Sequence, residues 1–186
     1  MTGFIDVHGH IVLEESLGAA GPTCGPELGS YDDGTPWFRV GDWRLDGVAY
    51  RESLFMQAQL RLEAMDNAGI SLQALSPNPL TYLHWIESAD AINYCRVHND
   101  AMANLVRTHN QRFVGFASLP MQDIDAAAKE LERCVNSLGL LGGYIGTDFG
   151  TDFDDPAMDT LYAACCELDV PLFLHPAPSG LDGSLR

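Results

Sequence analysis

Positive charge is scarce in this chain. Its 10 lysines and arginines stand against 26 aspartates and glutamates, for a formal net charge of −16. A surface of that sign repels nucleic acid and anionic membranes, so neither is expected as a partner. No apolar run reaches the roughly 18–20 residues that a membrane-spanning helix needs. The N-terminal MTGFIDVHGH has neither the basic region nor the apolar stretch of a secretory signal. Cysteine pairing signals are missing too. Cys24, Cys95, Cys134, Cys165 and Cys166 are odd in number and contain no C-x-x-C pair. Buried, reduced thiols in a cytoplasmic protein are the expectation, rather than disulfides or a zinc-thiolate site.

Several catalytic signatures are also absent. GLLGGYIG lacks the G-K-[ST] of a phosphate loop. The triplet Asp148–Phe149–Gly150 matches a kinase motif, but no glycine-rich loop or H-R-D segment accompanies it. The acidic run TDFGTDFDD has no calcium-loop spacing. No G-x-S-x-G nucleophile elbow occurs.

What is present describes a globular α/β chain. Hydrophobic residues make up 46% and charged residues 19% of 186, enough for one domain with a buried core. Five short apolar runs read as buried strands: Phe4–Val7, Ser71–Leu75, Phe113–Leu119, Gly143–Ile145 and Pro171–Leu174. Helical periodicity lies between them. Ala58, Leu62 and Met65 share a face that ends at Gly69. Ser88 is placed to cap a helix whose inner face carries Ile92, Cys95, Met102 and Leu105. Ile124, Ala128, Leu131, Val135 and Leu138 repeat at 3.6 residues within Asp123–Leu138, and Gly139 stops the run. Asp155-Pro156 starts a fourth helix with Met158, Leu161, Tyr162, Cys165 and Leu168 inward.

Strand and helix in alternation imply a parallel sheet of βαβ units, with strands covered on both faces. Residues 14–50 break the alternation. They are rich in glycine, proline and aspartate, contain Trp37 and Trp43, and read as a long loop or small insertion. Five strands and four helices fit an open doubly wound sheet. They fit equally the first five-eighths of a (β/α)8 barrel, which needs about 250 residues.

The chemistry-bearing residues sit at strand ends. In FIDVHGHIV, simple alternation puts Asp6, His8 and His10 on one side near the carboxyl end of strand 1. Two imidazoles about 6–7 Å apart along a strand can converge on one metal ion. PLFLHP places His175 at the carboxyl end of the fifth strand, the edge where parallel α/β folds bind ligands. His84, His98 and His109 lack this placement and read as core or solvated residues. Arg51, at the entrance to the first helix, could clamp a carboxylate or form a surface salt bridge.

These segments resemble the amidohydrolase superfamily, in the amidohydrolase-2 branch typified by aminocarboxymuconate-semialdehyde decarboxylase. The resemblance is carried in order by IDVHGH at 5–10, YRES at 50–53, RLEAMDNAGISLQALSPNP at 61–79 and Asn99-Asp100. It continues through RFVGFASLPMQ at 112–122, AAAKELERCV at 126–135, IGTDF at 145–149 and PLFLHP at 171–176. It implies a metal-dependent-hydrolase (β/α)8 TIM-like barrel, of which residues 1–186 supply about the first five strands and four helices. His8, His10 and His175 would be metal ligands, and Arg51 would bind a substrate carboxylate. The metal expected is a divalent ion, zinc first, with manganese or iron as alternatives.

The activity implied is nonoxidative decarboxylation of a small aromatic or muconate-type carboxylic acid. Metal-dependent hydrolysis or hydration of a C–N, C–C or C–O bond is the alternative. A fragment or half-barrel that only binds metal or a partner chain is a third reading. The family's acid–base histidine and ligand aspartate would lie beyond Arg186. Ala177 stands where the typical decarboxylase has tryptophan, which implies a different substrate pocket. The family often forms homodimers.

Overall fold

The computed structural model describes residues 3–177. Residues 1–2 and 178–186, the two ends of the domain expected over 1–186, lie outside the described residues. Strand β1 (Phe4–Ile11) is followed by a one-turn helix α1 (Gly21–Cys24) and three short strands, β2 (Glu27–Ser30), β3 (Pro36–Val40) and β4 (Trp43–Asp46). Then come α2 (Ala58–Ala68), β5 (Ile70–Pro77), α3 (Ser88–Thr108), β6 (Phe113–Gly115) and β7 (Ala117–Ser118). Helix α4 (Ile124–Arg133), β8 (Gly143–Gly146), α5 (Asp159–Leu168) and β9 (Leu172–His175) complete the order.

The parallel strands pair as β1-β5-β6 and β7-β8-β9. The single strand expected over Phe113–Leu119 is thus two pieces that serve opposite neighbours. Phe116 N–H at the break still donates to Leu75 O (2.8 Å), and Leu141 N–H donates to Gly115 O (2.8 Å). Spatial order therefore follows chain order, which is the winding of a barrel. A doubly wound sheet reverses partway along its strands, so that option is excluded.

Helix ends follow local chemistry. Gly69 closes α2 in the left-handed region (φ 69°), donating to Met65 O and Asp66 O. Asp123 caps α4 by accepting from Ala126 N–H at 3.0 Å. The helix expected to Leu138 is α-helical only to Arg133 and widens into a π turn over Cys134–Leu138 before Gly139 (φ 72°). Ser88 is not the cap of α3. Glu87 holds that position with an extended backbone and no side-chain cap bond, and Ser88 is the first helical residue. Asp155 accepts from Ala157 N–H (2.8 Å), but Pro156–Met158 form a 3-10 turn before α5 begins.

Residues 14–50 are more ordered than a loop. β2, β3 and β4 form an antiparallel sheet, with Phe38 and Val40 fully buried. Phe38, Val40, Tyr50 and Tyr94 belong to one apolar cluster, which anchors this insertion to α3. The main core lies between helices and sheet and includes Met65, Leu75, Met102, Phe113, Leu131, Ile145 and Leu161. Each such side chain contributes about 1.5–3 kcal/mol by leaving water.

Two further expectations fail. Among the described residues β1 and β9 lie at the sheet edges, and Phe4, Ile5 and Val7 are 75%, 62% and 59% exposed, so these residues do not cover β1 on both faces. All five cysteines are free, but only Cys95 and Cys134 are buried; Cys24 and Cys165 are partly exposed and Cys166 is exposed. Among the described residues no helix is long and apolar enough to cross a membrane.

Candidate metal centre

β1 does not alternate simply. Asp6 pairs with Gln73, but Gly9 pairs with Leu75, so three steps in β1 match two in β5. This bulge falls at Val7–His8 and reverses the side on which the following residues point. Asp6 Oδ2 accepts from Gln73 Nε2 at 2.6 Å on the side that Gly9 also faces, where an added Cβ would lie 2.8 Å from Gln73 Cδ. His8 and His10 point the other way. The expectation that Asp6 shares their side is therefore wrong, because it assumed an unbroken period of two.

Beyond the bulge the histidines meet His175. The ring centroids of His8–His10, His10–His175 and His8–His175 are 4.7, 4.8 and 5.0 Å apart, nearly an equilateral triangle. One nitrogen from each ring lies within 4.8 Å of the others. Tautomers follow from the partners. A carbonyl can only accept, so His10 Nδ1 donates its hydrogen to Pro77 O (3.2 Å), with Ser76 Oγ also within 3.1 Å. His175 Nδ1 likewise donates to Pro176 O (2.8 Å). Both rings therefore carry the lone pair on Nε2 rather than on Nδ1. His8 Nε2 stands 3.0 Å from His10 Nε2 and must donate to it. To become a ligand, His8 has only to carry its proton on Nδ1 instead.

Electrostatics favour neutral donors. Burial, then the neighbouring His8 and His175, push His10 down to about 4. Neutral imidazole is the form that binds a metal. This donor set fits a divalent transition-metal ion. Among the described residues no carboxylate joins it.

The floor beneath is aromatic. Tyr144 lies 5.6 Å from His175 and 6.2 Å from His10, stacks on Phe173 at 5.0 Å, and packs with Tyr82, Phe116 and Ala177. Gly146 pairs with His175 across β8 and β9, and a Cβ there would come within 2.6 Å of Tyr82 and 2.9 Å of His84. His84 stacks on Tyr82 and binds Asp148 O at 2.9 Å, which makes it part of this wall. His98 is buried in α3, and His109 lies at that helix's end.

Arg51 is elsewhere in its bonding. Its guanidinium forms an ion pair with Glu14, with both side chains more than half exposed, and it borders a cleft of about 330 Å³ with Trp37 and Tyr50. The residues that sequence reasoning missed stand behind the histidines: Ser76, Gln73 and the buried Arg61. Ser76 had a signal, because it too ends a parallel strand.

The amidohydrolase-2 family model, an amidohydrolase, matches residues 5–184. The chain belongs to this family. Among its curated relatives is the 2-amino-3-carboxymuconate-6-semialdehyde decarboxylase of Dictyostelium discoideum. The two are 33% identical over 135 residues, which is 71% of this chain and 38% of that one. The gamma-resorcylate decarboxylase of Rhodococcus jostii (strain RHA1) is 33% identical over 180 residues, 91% of this chain and 51% of the relative. A dihydroxybenzoic acid decarboxylase from Polaromonas sp. JS666, solved with bound manganese and the inhibitor 2-nitroresorcinol, superposes with a TM-score of 0.71. Its identity is 30% over 95% of this amidohydrolase and 50% of that structure. The chain thus spans about half the length, or less, of these relatives. The family's barrel accounts for the strand order described above.

Proposed function

We propose that this amidohydrolase chain contributes the metal-holding part of a carboxy-lyase centre that removes CO₂ nonoxidatively from a small aromatic or muconate-type acid. The observation that carries the reading is the convergence of His8, His10 and His175 on one point, with the hydrogen-bonded Nδ1 atoms of His10 and His175 turned away from it. His8, His10 and His175 would hold a divalent ion, which would supply Lewis acidity. The bound manganese of the Polaromonas relative and the all-imidazole donors make manganese and zinc the two ions to try.

The chain's own residues would do the following. His10 and His175 are held in orientation by the hydrogen bonds of their Nδ1 atoms to Pro77 O and Pro176 O. Tyr82, Tyr144 and Phe173 keep the floor dry, which strengthens every charge interaction above it. Arg51 exchanges Glu14 for the substrate carboxylate, a swap of one exposed carboxylate for another. A cytoplasmic setting belongs to the same reading and rests on the five free thiols.

Manganese- or zinc-loaded protein assayed on a panel of hydroxybenzoic and muconate-type acids tests the proposal. CO₂ release that depends on the metal and is lost in His175→Ala supports it. Incorporation of labelled solvent oxygen without CO₂ would replace it with hydration or hydrolysis. Absence of stoichiometric metal binding would refute it.

A further inference from the structure

A chain of hydrogen bonds runs behind the histidines on the far side of β1. Arg61 projects from α2 and is 7% exposed. Its Nη2 donates to His10 O and to Leu54 O, both at 2.6 Å, and its Nη1 donates to Gln73 Oε1 at 3.0 Å. Gln73, equally buried, donates from Nε2 to Asp6 Oδ2 at 2.6 Å. Asp6 Oδ1 accepts from His8 N–H at 3.0 Å. The two histidine residues are thus gripped at both ends of the chain, His8 by its amide and His10 by its carbonyl. Gly9 lies between them, and only the lack of a Cβ lets Gln73 cross there.

A buried guanidinium needs a countercharge, and Asp6 supplies it through one neutral amide. A packing role for the helix would be met by leucine or methionine at lower cost. The polarity of each member is instead fixed by the next: Arg61 can only donate, so Gln73 must turn its oxygen to Arg61 and its amide to Asp6. Asp6 must then accept from both sides.

We propose that Arg61, Gln73 and Asp6 are positioning residues that hold the β1 bulge in the shape that aims His8 and His10 at the metal. This rests on the metal reading above. A β-bulge leaves a residue outside the ladder, so its backbone needs partners from elsewhere. The clamp supplies them without offering a donor to the metal.

Isosteric exchange tests it. Asp6→Asn alone sets two amide donors face to face, and Gln73→Glu alone sets two carboxylates face to face. In the double variant the new amide at position 6 donates to the new carboxylate at position 73. That carboxylate still accepts from Arg61, and position 6 still accepts from His8 N–H. Cobalt(II) is the probe, read by its dissociation constant and visible d–d bands, with the melting temperature of the metal-free protein measured alongside.

Each single variant should weaken cobalt binding by about 10–100-fold and shift the bands. The double variant should return to within about threefold of wild type with wild-type bands. Singles that bind cobalt like wild type would overturn the positioning role. So would a double variant that fails to fold, or that folds without recovering the site. If a single variant does not fold, the double variant alone decides. A wild-type protein that takes no cobalt would instead overturn the metal reading, and this inference with it.

Discussion

His98 allows a sharp test of the core. It lies inside α3 at 1% exposure, stacked 5.9 Å from Tyr94, and neither ring nitrogen has a hydrogen-bond partner among the described residues. Burial alone lowers it from 6.5 to about 4. In the unfolded chain the ring titrates near its ordinary value. Between those two values the unfolded state binds a proton that the folded state refuses, so stability falls as pH falls. The loss begins near 6.5, grows downward and levels off below about 4.

Linkage gives about 2 kcal/mol lost between about pH 7.5 and pH 5 from this one group. His10 and His84 are also lowered by burial and add in the same direction. The difference between wild type and His98→Leu therefore isolates His98. Urea unfolding at a series of pH values is the assay. At neutral pH the variant should lie within about 1.5 kcal/mol of wild type, since it trades two unpartnered nitrogens for a similar apolar volume. By about pH 5 it should have lost roughly 2 kcal/mol less than wild type. Parallel pH curves for the two proteins would refute the reasoning and mean that His98 is solvated or paired.

Three other outcomes follow from the packing. Asn99 is fully buried, donates to Ser118 O (2.9 Å) and Glu130 Oε1 (2.8 Å), and accepts from Ser118 N–H (2.8 Å). Asn99→Leu strands those groups and should cost about 3–5 kcal/mol in chemical denaturation; a loss under about 1 kcal/mol would contradict the network. Gly146→Ala places a Cβ against Tyr82 and His84 and should destabilise by about 1–3 kcal/mol in a thermal melt, with no effect if that wall is loose. Glu14→Gln breaks an ion pair exposed on both sides and should shift stability by no more than about 1 kcal/mol, while leaving Arg51 freer to bind an added benzoate in a titration.

Regular elements were legible where one local signal sufficed. α2 is bounded by its 3.6-residue face and by Gly69, and both survive folding unchanged. β3 and β4 were hidden inside a glycine- and proline-rich stretch, yet their signal was present. Phe38 and Val40 alternate with Trp37 and Arg39, and Gly41-Asp42 is a two-residue hairpin turn between two such runs. Composition drew attention away from periodicity. The break at Phe116 and the π turn after Arg133 have no comparable local mark. At the break Phe116 N–H donates to Leu75 O while Gly115 O accepts from Leu141 N–H, so adjacent residues serve different neighbours.

The histidines were legible because the carboxyl ends of parallel strands point to one mouth, where His8 and His10 of β1 meet His175 of β9. What supports them was not. Arg61 looks like an outer-face residue in any count of charges, though it sits one turn before Met65 on the buried side of α2. Asp6 looks like a ligand by alternation, and only the bulge removes it. Turned to the rear, its carboxylate accepts instead from Gln73 Nε2 and from His8 N–H, and through Gln73 it answers the charge of the buried Arg61. A carboxylate that alternation would place among the histidines is thus spent on the shape of the strand that carries them.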